Sequence, residues 1–170
     1  EHPTALVQSA AMASVPPPVP TYQPLLPKSL VDDGLLSAPQ LESVIYAGNA
    51  HETHLKGWFK RGEIEGQLMA AAEGDDGAFL LRKGWFLGDG TGCGKGRQVA
   101  GIILDNWLQG RRRAVWVSKS DKLIEDARRD WMALGGRESD IVPLSKFRQG
   151  SDIRLPEGIL FVTYATLRSA

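Results

Sequence analysis

The most restrictive feature of the chain is a glycine-rich stretch, GWFLGDGTGCGKGRQVAG, at residues 84–101. Glycine alternates with other residues from 88 to 96, and Lys95, the only lysine of the stretch, has a glycine on each side. The apolar segment GWFLGD predicts a short buried strand, and residues 95–109 predict a buried helix that Gly110 ends at its C′ position. The glycines therefore form a loop between a strand and a helix N-terminus.

The residues after this helix alternate regularly between strand and helix patterns. RAVWVS is apolar and β-rich, SDKLIEDARRDWMALGG predicts a helix capped by Ser120 and stopped by Gly135, and DIVPL and GILFVTY predict two further strands. Alternating helices and apolar strands are typical of a parallel sheet covered by helices on both faces. We therefore predict an α/β fold.

The residues before the glycine stretch are less regular. Residues 1–36 are rich in proline, which predicts an extended lead-in outside the core. It is either a strap across the domain or a disordered tail, and a docking motif for an aromatic-lined groove is the alternative. SAPQLESVIYAG predicts a helix that begins after Ser37 and ends near Gly48. Residues 49–83 are interpreted as loop and short strands, with AFLLR as one strand. The two histidines of HETH lack a third ligand at a suitable spacing, so we assign no metal site.

Composition and apolar runs restrict the classes of protein that fit. Lysine plus arginine equals aspartate plus glutamate, 20 against 20, so no overall field attracts nucleic acid or membrane, and any such contact is local. Cys93 is the only cysteine, which excludes an internal disulfide. Neither a signal peptide nor an apolar run that spans a bilayer is recognisable, which favours a cytoplasmic protein without membrane contact.

The position of the glycines favours an anion-binding loop. Backbone N–H groups and the positive end of the helix dipole meet there, and glycine lets a phosphate approach the main chain. The dinucleotide fingerprint G-x-G-x-x-G fits in no frame. The P-loop pattern G-x-x-x-x-G-K-[ST] fits at Gly94 and Lys95 but meets Asp89 and Gly96 at its other fixed positions. The inner TGCGK matches the form A-x-T-G-x-G-K of helicase-type P-loops. The alternative to a phosphate-binding loop is a glycine-rich connector without a ligand.

We therefore predict that the loop binds the phosphates of a nucleotide through its backbone. Lys95 supplies a point charge for the β- and γ-phosphates and is the one residue with a predicted catalytic role. Arg97 lies in the first turn of the predicted helix, and three roles are open for it: a contact with phosphate, a contact with a second lobe, or simple solvation. The predicted nucleotide-binding residues of the loop are Gly90, Thr91, Gly92, Cys93, Gly94, Lys95, Gly96 and Arg97.

The segment GDGTGCGKGRQVAGIILDNWLQGRRRAVWVSKSDKLIEDARRDW resembles the strawberry notch family, helicase-like P-loop proteins whose first motif runs G-D-G-T/A-G-x-G-K-G-R. Gly96 thus follows the pattern of that family. The resemblance extends from about Leu6 to EGILFVTYATLRS, which is nearly the whole chain. It implies two RecA-like lobes with ATP and Mg²⁺ between them, nucleic acid as a partner with DNA favoured over RNA, and in some members a fused methyltransferase-like region.

The resemblance also suggests roles for residues outside the loop. Gln40 resembles the glutamine that reads the adenine edge in related helicases, although Ser37 and Gln40 equally form a capping box. Several hydroxyls and one lysine fall at the carboxyl ends of predicted strands, the sheet edge where such folds place ligands, and they suit a phosphodiester backbone. Helix capping by the two serines is the alternative. These residues are Ser118, Lys119, Ser120, Thr163 and Tyr164.

Hydrolysis needs a carboxylate that positions the metal and water, which the family supplies from a D-E-x-H segment. No Asp-Glu pair occurs in this sequence. We therefore expect residues 37–170 to be part of a first RecA-like lobe that stops before that segment and is able to bind nucleotide. Two hypotheses remain: the ATP-binding part of a nucleic-acid-dependent motor, or a degenerate P-loop that serves as a nucleotide-binding scaffold for transcriptional or chromatin-like partners.

Overall fold

A computed structural model describes residues 2–3, 5–7 and 10–168 of the chain. Three 3₁₀ turns occupy Asp121–Leu123, Glu138–Asp140 and Leu144–Lys146. Within the described ranges, no helix combines the length and the apolar character needed to cross a bilayer. The helices and strands, in chain order, are α1 (Ala10–Ala13), α2 (Ser29–Asp32), α3 (Ala38–Glu52), β1 (Trp58–Arg61), β2 (Leu68–Ala71), α4 (Lys95–Leu108), β3 (Arg113–Ser118), α5 (Ile124–Ala133), β4 (Ile141–Pro143), β5 (Gly158–Thr163) and α6 (Tyr164–Arg168).

The main sheet has three parallel strands in the order β3–β5–β4. β3 and β5 pair along their whole length, with Ser118 opposite Thr163. β4 is short and ends at Pro143, which has no N–H for a ladder bond. The predicted α/β fold with a parallel sheet is confirmed, and RAVWVS, DIVPL and GILFVTY all contribute strands. The last strand ends before Tyr164, which begins α6.

The core joins one face of β5 to α4 and α5. Leu160 and Val162 lie on the opposite face of the sheet and are buried too, so both faces of the central strand are covered, as expected for a parallel sheet. The buried residues that form the core cluster are Leu30, Leu36, Ala100, Leu104, Ala127, Trp131, Leu134, Ile141, Ile159 and Phe161.

Asp140 fixes the end of α5 to the start of β4. Trp131 Nε1 donates to Asp140 Oδ2 at 3.0 Å, and the N–H of Arg137 donates to the same oxygen at 2.9 Å. Burial alone would raise the pKa of Asp140, but these hydrogen bonds and the Arg137 guanidinium outweigh it, and the pKa is lowered from its ordinary value. The fold therefore stabilises the ionised carboxylate.

The proline-rich lead-in packs on the domain. Tyr22, Leu30 and Leu36 are buried. The Tyr22 hydroxyl donates to Asp105 of α4, and the N–H of Leu25 donates to Asp105 Oδ1 at 2.7 Å. Burial, followed by the effect of Asp105, raises the pKa of Tyr22 to about 12. The prediction of a segment outside the core is wrong for Leu30 and Leu36, which follow Pro27, the last proline of the lead-in, and join the core cluster. Tyr22 lies between two prolines, which extend the backbone without preventing the residue between them from packing. The division of the chain at residue 36 stays a prediction.

The helix α3 runs to Glu52, past the predicted end near Gly48. Gly48 is glycine for a different reason, since an added Cβ would lie 2.1 Å from Tyr22 Cδ1. The absence of a side chain lets the Tyr22 ring lie directly against the helix. This glycine therefore marks a close contact and not a helix end.

The region 49–83 contains short strands, as predicted. β1 and β2 form an antiparallel pair, with Trp58 opposite Ala71. AFLLR was predicted as a strand but contributes only isolated bridges, at Phe79 and Arg82. The pairing is thus restricted to a small hairpin and its immediate neighbours.

The strand predicted for GWFLGD is absent from the structure. Residues 84–89 have no ladder partner in the part of the chain that the structure describes, and the Phe86 side chain is 88% exposed. Among the described residues, the outer edges of β3 and β4 have no strand beside them, and residues 84–89 pair with neither. An extended segment without a hydrogen-bonded partner is not a stable strand, whatever its β-propensity.

Candidate functional site

The glycine loop lies directly before α4 and has a left-handed backbone at two positions. Gly92 has a φ of +90°, and Gly94, the N-cap of α4, has a φ of +71°. A residue with a Cβ would cost roughly 1–2 kcal/mol at each of them. Lys95 is the first residue of α4, so the uncovered N–H groups and the positive end of the helix dipole lie at the loop.

The Lys95 side chain lies across the start of the loop. Its ammonium donates hydrogen bonds to the carbonyl oxygens of Asp89 at 2.9 Å and of Gly90 at 2.7 Å. Lys95 and the loop residues 88–92 are exposed. The cation of the loop is thus beside exposed backbone, where an anion can take the place of the two carbonyl acceptors.

Gln98 holds the two ends of the loop together, a role that the sequence analysis missed. Its side chain is 1% exposed, and Nε2 donates to Asp89 Oδ2 at 2.9 Å and to the Cys93 carbonyl at 3.1 Å. The sequence gives only a weak signal, because Gln98 lies between the charged Arg97 and the apolar residues that begin at Val99. The loop is therefore closed by a buried side chain from the helix that follows it.

Gln40 of α3 has two contacts at once. Its Oε1 accepts a hydrogen bond from the N–H of Ser37 at 3.0 Å, as in the capping alternative. Its Nε2 lies so close to the loop that a Cβ added at Gly94 would be 2.4 Å away. Gln40 is therefore a neighbour of the P-loop as well as part of the start of α3, and adenine recognition by this side chain stays a prediction.

Gly96 and Arg97 both contact Asp130 of α5. A Cβ added at Gly96 would lie 2.2 Å from Asp130 Oδ2, so the carboxylate fills the space of a side chain at this position. Arg97 Nε lies 3.4 Å from Asp130 Oδ1, and Arg97 Nη1 donates to the Leu35 carbonyl at 2.8 Å. Arg97 is thus held by protein groups, and a contact with phosphate stays a prediction.

The residues predicted to bind nucleic acid do lie at the carboxyl ends of neighbouring strands, but they differ in accessibility. Lys119 is exposed, and so is Tyr164, by 67%. Ser118 and Ser120 are half-buried, and Ser120 Oγ accepts from the N–H of Lys122 at 3.4 Å, a weak form of the capping alternative. Thr163 differs from the others because its side chain is buried and bonded to the start of α6.

The Thr163 hydroxyl takes part in the turn that begins α6. It lies 2.9 Å from the Thr166 hydroxyl and accepts a hydrogen bond from the N–H of Thr166 at 3.2 Å. Thr163 itself is 4% exposed. This hydroxyl therefore stabilises a helix start, and a direct contact with a phosphodiester would require that turn to open.

The residues that the structure describes contain no group of three His, Cys, Asp or Glu side chains that could hold a metal ion. P-loop proteins bind Mg²⁺ largely through the phosphates of the nucleotide, together with one or two protein oxygens. Such a site does not need a cluster of protein ligands. The oxygen nearest to the usual protein ligand position is the Asp130 carboxylate beside Gly96.

Comparison with known proteins agrees with this geometry. Over residues 1–170 the chain matches the family model of the P-loop containing NTP hydrolase pore-1 domain. It is 37% identical over 171 residues to protein strawberry notch homolog 1 of Gallus gallus, 40% identical over 167 residues to protein strawberry notch homolog 2 of Homo sapiens, and 35% identical over 170 residues to protein FORGETTER 1 of Arabidopsis thaliana. Each alignment covers 98% of the chain. The chain belongs to the strawberry notch family.

The chain spans 12%, 10% and 11% of the lengths of these three strawberry notch relatives. No solved structure matches it. Membership makes this strawberry notch segment a helicase-like P-loop module for nucleoside triphosphate. That the glycine loop at the N-terminus of α4 binds the phosphates stays a prediction. The position at which a P-loop usually has serine or threonine is here Gly96, and its missing side chain leaves room for Asp130.

Proposed function

We propose that the chain is the ATP-binding part of a nucleic-acid-dependent, helicase-like ATPase that uses Mg²⁺. The observation that carries this proposal is the position of the Lys95 ammonium, at the N-terminus of α4 and beside exposed glycine backbone. The phosphates of ATP would accept hydrogen bonds from Lys95 and from the N–H groups of the loop. They displace the carbonyls of Asp89 and Gly90 because hydrogen bonds between charged groups are stronger than those to neutral acceptors.

The side chains around the loop would orient the nucleotide. Gln98 keeps Asp89 and Cys93 at a fixed separation, and Gln40 lies against Gly94, so the N–H groups are arranged before the ligand arrives. A binding loop that is already ordered loses less conformational entropy on binding. Lys95 stabilises the charge on the β- and γ-phosphates, and Mg²⁺, when bound with them, supplies further charge neutralisation.

Nucleic acid, with DNA favoured over RNA, is proposed to bind at the carboxyl ends of β3 and β5. Lys119 offers an exposed cation for a phosphate, and Tyr164 offers an exposed ring on which a base can stack. Ser118 and Ser120 add hydroxyl groups at the same edge. A second RecA-like lobe and a fused methyltransferase-like region are proposed as partners in the longer protein.

The test is binding of a fluorescent ATP analogue, in the presence of Mg²⁺, to the chain and to Lys95→Ala. Lys122→Ala is the matched control, because this exposed lysine lies outside the loop. All three proteins must show the same circular-dichroism spectrum. We expect Lys95→Ala to weaken binding at least tenfold, which corresponds to about 1.4 kcal/mol, and Lys122→Ala to have no effect. Equal binding by the chain and by Lys95→Ala would refute the assignment of the loop.

A nucleotide-binding scaffold for transcriptional or chromatin-like partners is the second candidate function. The observation that favours it is the glycine at position 96, which removes the hydroxyl that P-loop enzymes use to bind Mg²⁺. The two functions are distinguished by hydrolysis in the longer protein. ATPase activity that rises when single-stranded DNA is added supports the motor, and ATP binding without such activity supports the scaffold.

A further inference from the structure

The carboxylate of Asp130 lies beside position 96, where other P-loops have a residue with a hydroxyl group. The residue after the P-loop lysine is usually serine or threonine, and its side-chain oxygen binds Mg²⁺. Here that residue is Gly96, and a Cβ built on it would lie 2.2 Å from Asp130 Oδ2 and 3.3 Å from Asp130 Cγ. An oxygen atom therefore occupies the space into which the serine or threonine would extend, and it comes from α5 rather than from α4.

The two oxygens of Asp130 have different surroundings. Oδ1 lies 3.4 Å from Arg97 Nε, and Arg97 is itself held by the Leu35 carbonyl at 2.8 Å. Oδ2 faces Gly96 and makes no hydrogen bond to the residues that the structure describes. The Asp130 side chain is 15% exposed, so it is largely shielded from solvent beside Arg97. One oxygen is thus engaged by the protein, and the other remains available beside the first turn of α4.

We propose that Asp130 supplies the protein oxygen ligand for the Mg²⁺ of the bound nucleotide, in place of the absent hydroxyl at position 96. Arg97 is then a positioning residue, which fixes Asp130 through the oxygen that does not face Gly96. The proposal rests on the proposed ATP binding at the P-loop. Its chemistry is ordinary, because Mg²⁺ prefers carboxylate oxygens and is commonly bound by one or two of them together with phosphates and waters.

This arrangement explains why position 96 is a glycine. A serine there would require the Asp130 carboxylate to move, so the two oxygen donors compete for this place. In this proposal the carboxylate of Asp130 on α5 takes over the role of the hydroxyl that is absent from position 96 of α4. That exchange of one donor for the other makes a sharp prediction: a hydroxyl at position 96 should replace Asp130 once the carboxylate has been removed.

The experiment measures how much Mg²⁺ strengthens ATP binding, as the ratio of the dissociation constant in EDTA to that in Mg²⁺. Asp130→Asn keeps the size of the side chain and removes its charge. Asp126→Asn is the matched control, because Asp126 lies on the same helix and pairs with Arg129. The double variant Gly96→Ser/Asp130→Ala restores the usual hydroxyl and removes the competing carboxylate.

We expect Asp130→Asn to reduce the Mg²⁺ ratio by about tenfold or more while its ATP affinity in EDTA stays at the parent value. Asp126→Asn should keep the parent ratio, and Gly96→Ser/Asp130→Ala should recover most of it. If Asp130→Asn does not fold, the test rests on the double variant. A double variant that folds but whose ATP binding does not depend on Mg²⁺ overturns the proposal. An Mn²⁺ electron paramagnetic resonance spectrum of the ATP complex that is altered in Asp130→Asn gives a second readout.

Two outcomes separate this inference from the proposed function. If the parent chain binds ATP but Asp130→Asn has the parent Mg²⁺ ratio, Asp130 is no ligand and ATP binding at the loop stands. The same conclusion follows if Asp130→Asn weakens binding equally in EDTA and in Mg²⁺, because the role of Asp130 is then structural. If the folded parent binds no ATP even in Mg²⁺, both the proposed function and this inference are wrong.

Discussion

Replacing Gly94 by alanine measures how closely the glycine loop is held against α3. Gly94 has a φ of +71°, and an added Cβ would lie 2.4 Å from Gln40 Nε2. Gly92 is the matched control, because its φ of +90° is also left-handed while nothing lies within 4 Å of an added Cβ. The two substitutions therefore share backbone strain and differ in the contact with Gln40.

The magnitude follows from these contacts. Each substitution costs roughly 1–2 kcal/mol of backbone strain. At position 94 the Gln40 amide must also move, and since its Oε1 accepts from the N–H of Ser37 at 3.0 Å, the movement breaks that hydrogen bond. A buried hydrogen bond contributes a net free energy of about 0.5–1.5 kcal/mol. Gly94→Ala should therefore be less stable than Gly92→Ala by about this amount.

The assay is urea-induced unfolding followed by circular dichroism, with the two alanine variants made in the parent and in a Gln40→Ala background. Without the Gln40 side chain nothing has to move, so we expect the difference between Gly94→Ala and Gly92→Ala to fall to near zero. The reasoning is refuted if the two variants are equally stable in the parent, or if their difference persists in the Gln40→Ala background. Either result means that Gln40 does not lie against the loop.

Three further predictions concern stability and nucleic-acid binding. Tyr22→Phe removes a hydrogen bond to the buried Asp105 carboxylate and should lower the free energy of unfolding by about 1.5–3 kcal/mol. Because the pKa of Tyr22 is raised to about 12, the parent should also lose stability between about pH 10 and pH 12, and Tyr22→Phe should lose less. The pKa of Asp140 is lowered, so its contribution to stability is complete above about pH 4 and is lost as the pH falls further; an Asp140→Asn variant whose acid unfolding is as steep as that of the parent would contradict this. Lys119→Ala should weaken binding of single-stranded DNA and reduce the slope of log affinity against log salt by about 0.7, and a slope that matches that of the Lys122→Ala control would count against a phosphate contact.

The elements that could be predicted from the sequence are those whose signals are local. The apolar positions of α4 and the β-rich run of β3 define these elements within their own residues. The glycines placed after α4 and α5 do have left-handed backbones, Gly110 with a φ of +87° and Gly135 with a φ of +93°. The sequence predicts the glycine loop between a strand and a helix, and only the helix side is confirmed, because α4 begins at Lys95 whereas residues 84–89 form no strand.

The parts that could not be predicted depend on partners distant in sequence. GWFLGD has a strand composition, but a strand needs a hydrogen-bonded neighbour, and composition does not report one. The reason for a glycine at position 48 is the ring of Tyr22, which is distant in sequence. Asp130 gives no signal in the sequence, because it is one of many charged residues until α5 packs beside Gly96. The ligand roles of the loop residues, and those of Ser118 and Tyr164, stay predictions.

The hydrogen bonds around α4 join points that are separated by very different lengths of chain. Gln98 reaches Asp89 across 9 residues, whereas Tyr22 reaches Asp105 across 83. Closing a long loop costs more chain entropy than closing a short one, so long-range contacts form later in folding. We therefore expect the glycine loop to assemble with α4 as a local unit and the lead-in to dock last. The lead-in is then the last of these parts to reach its place, although it is synthesised before the helix on which it packs.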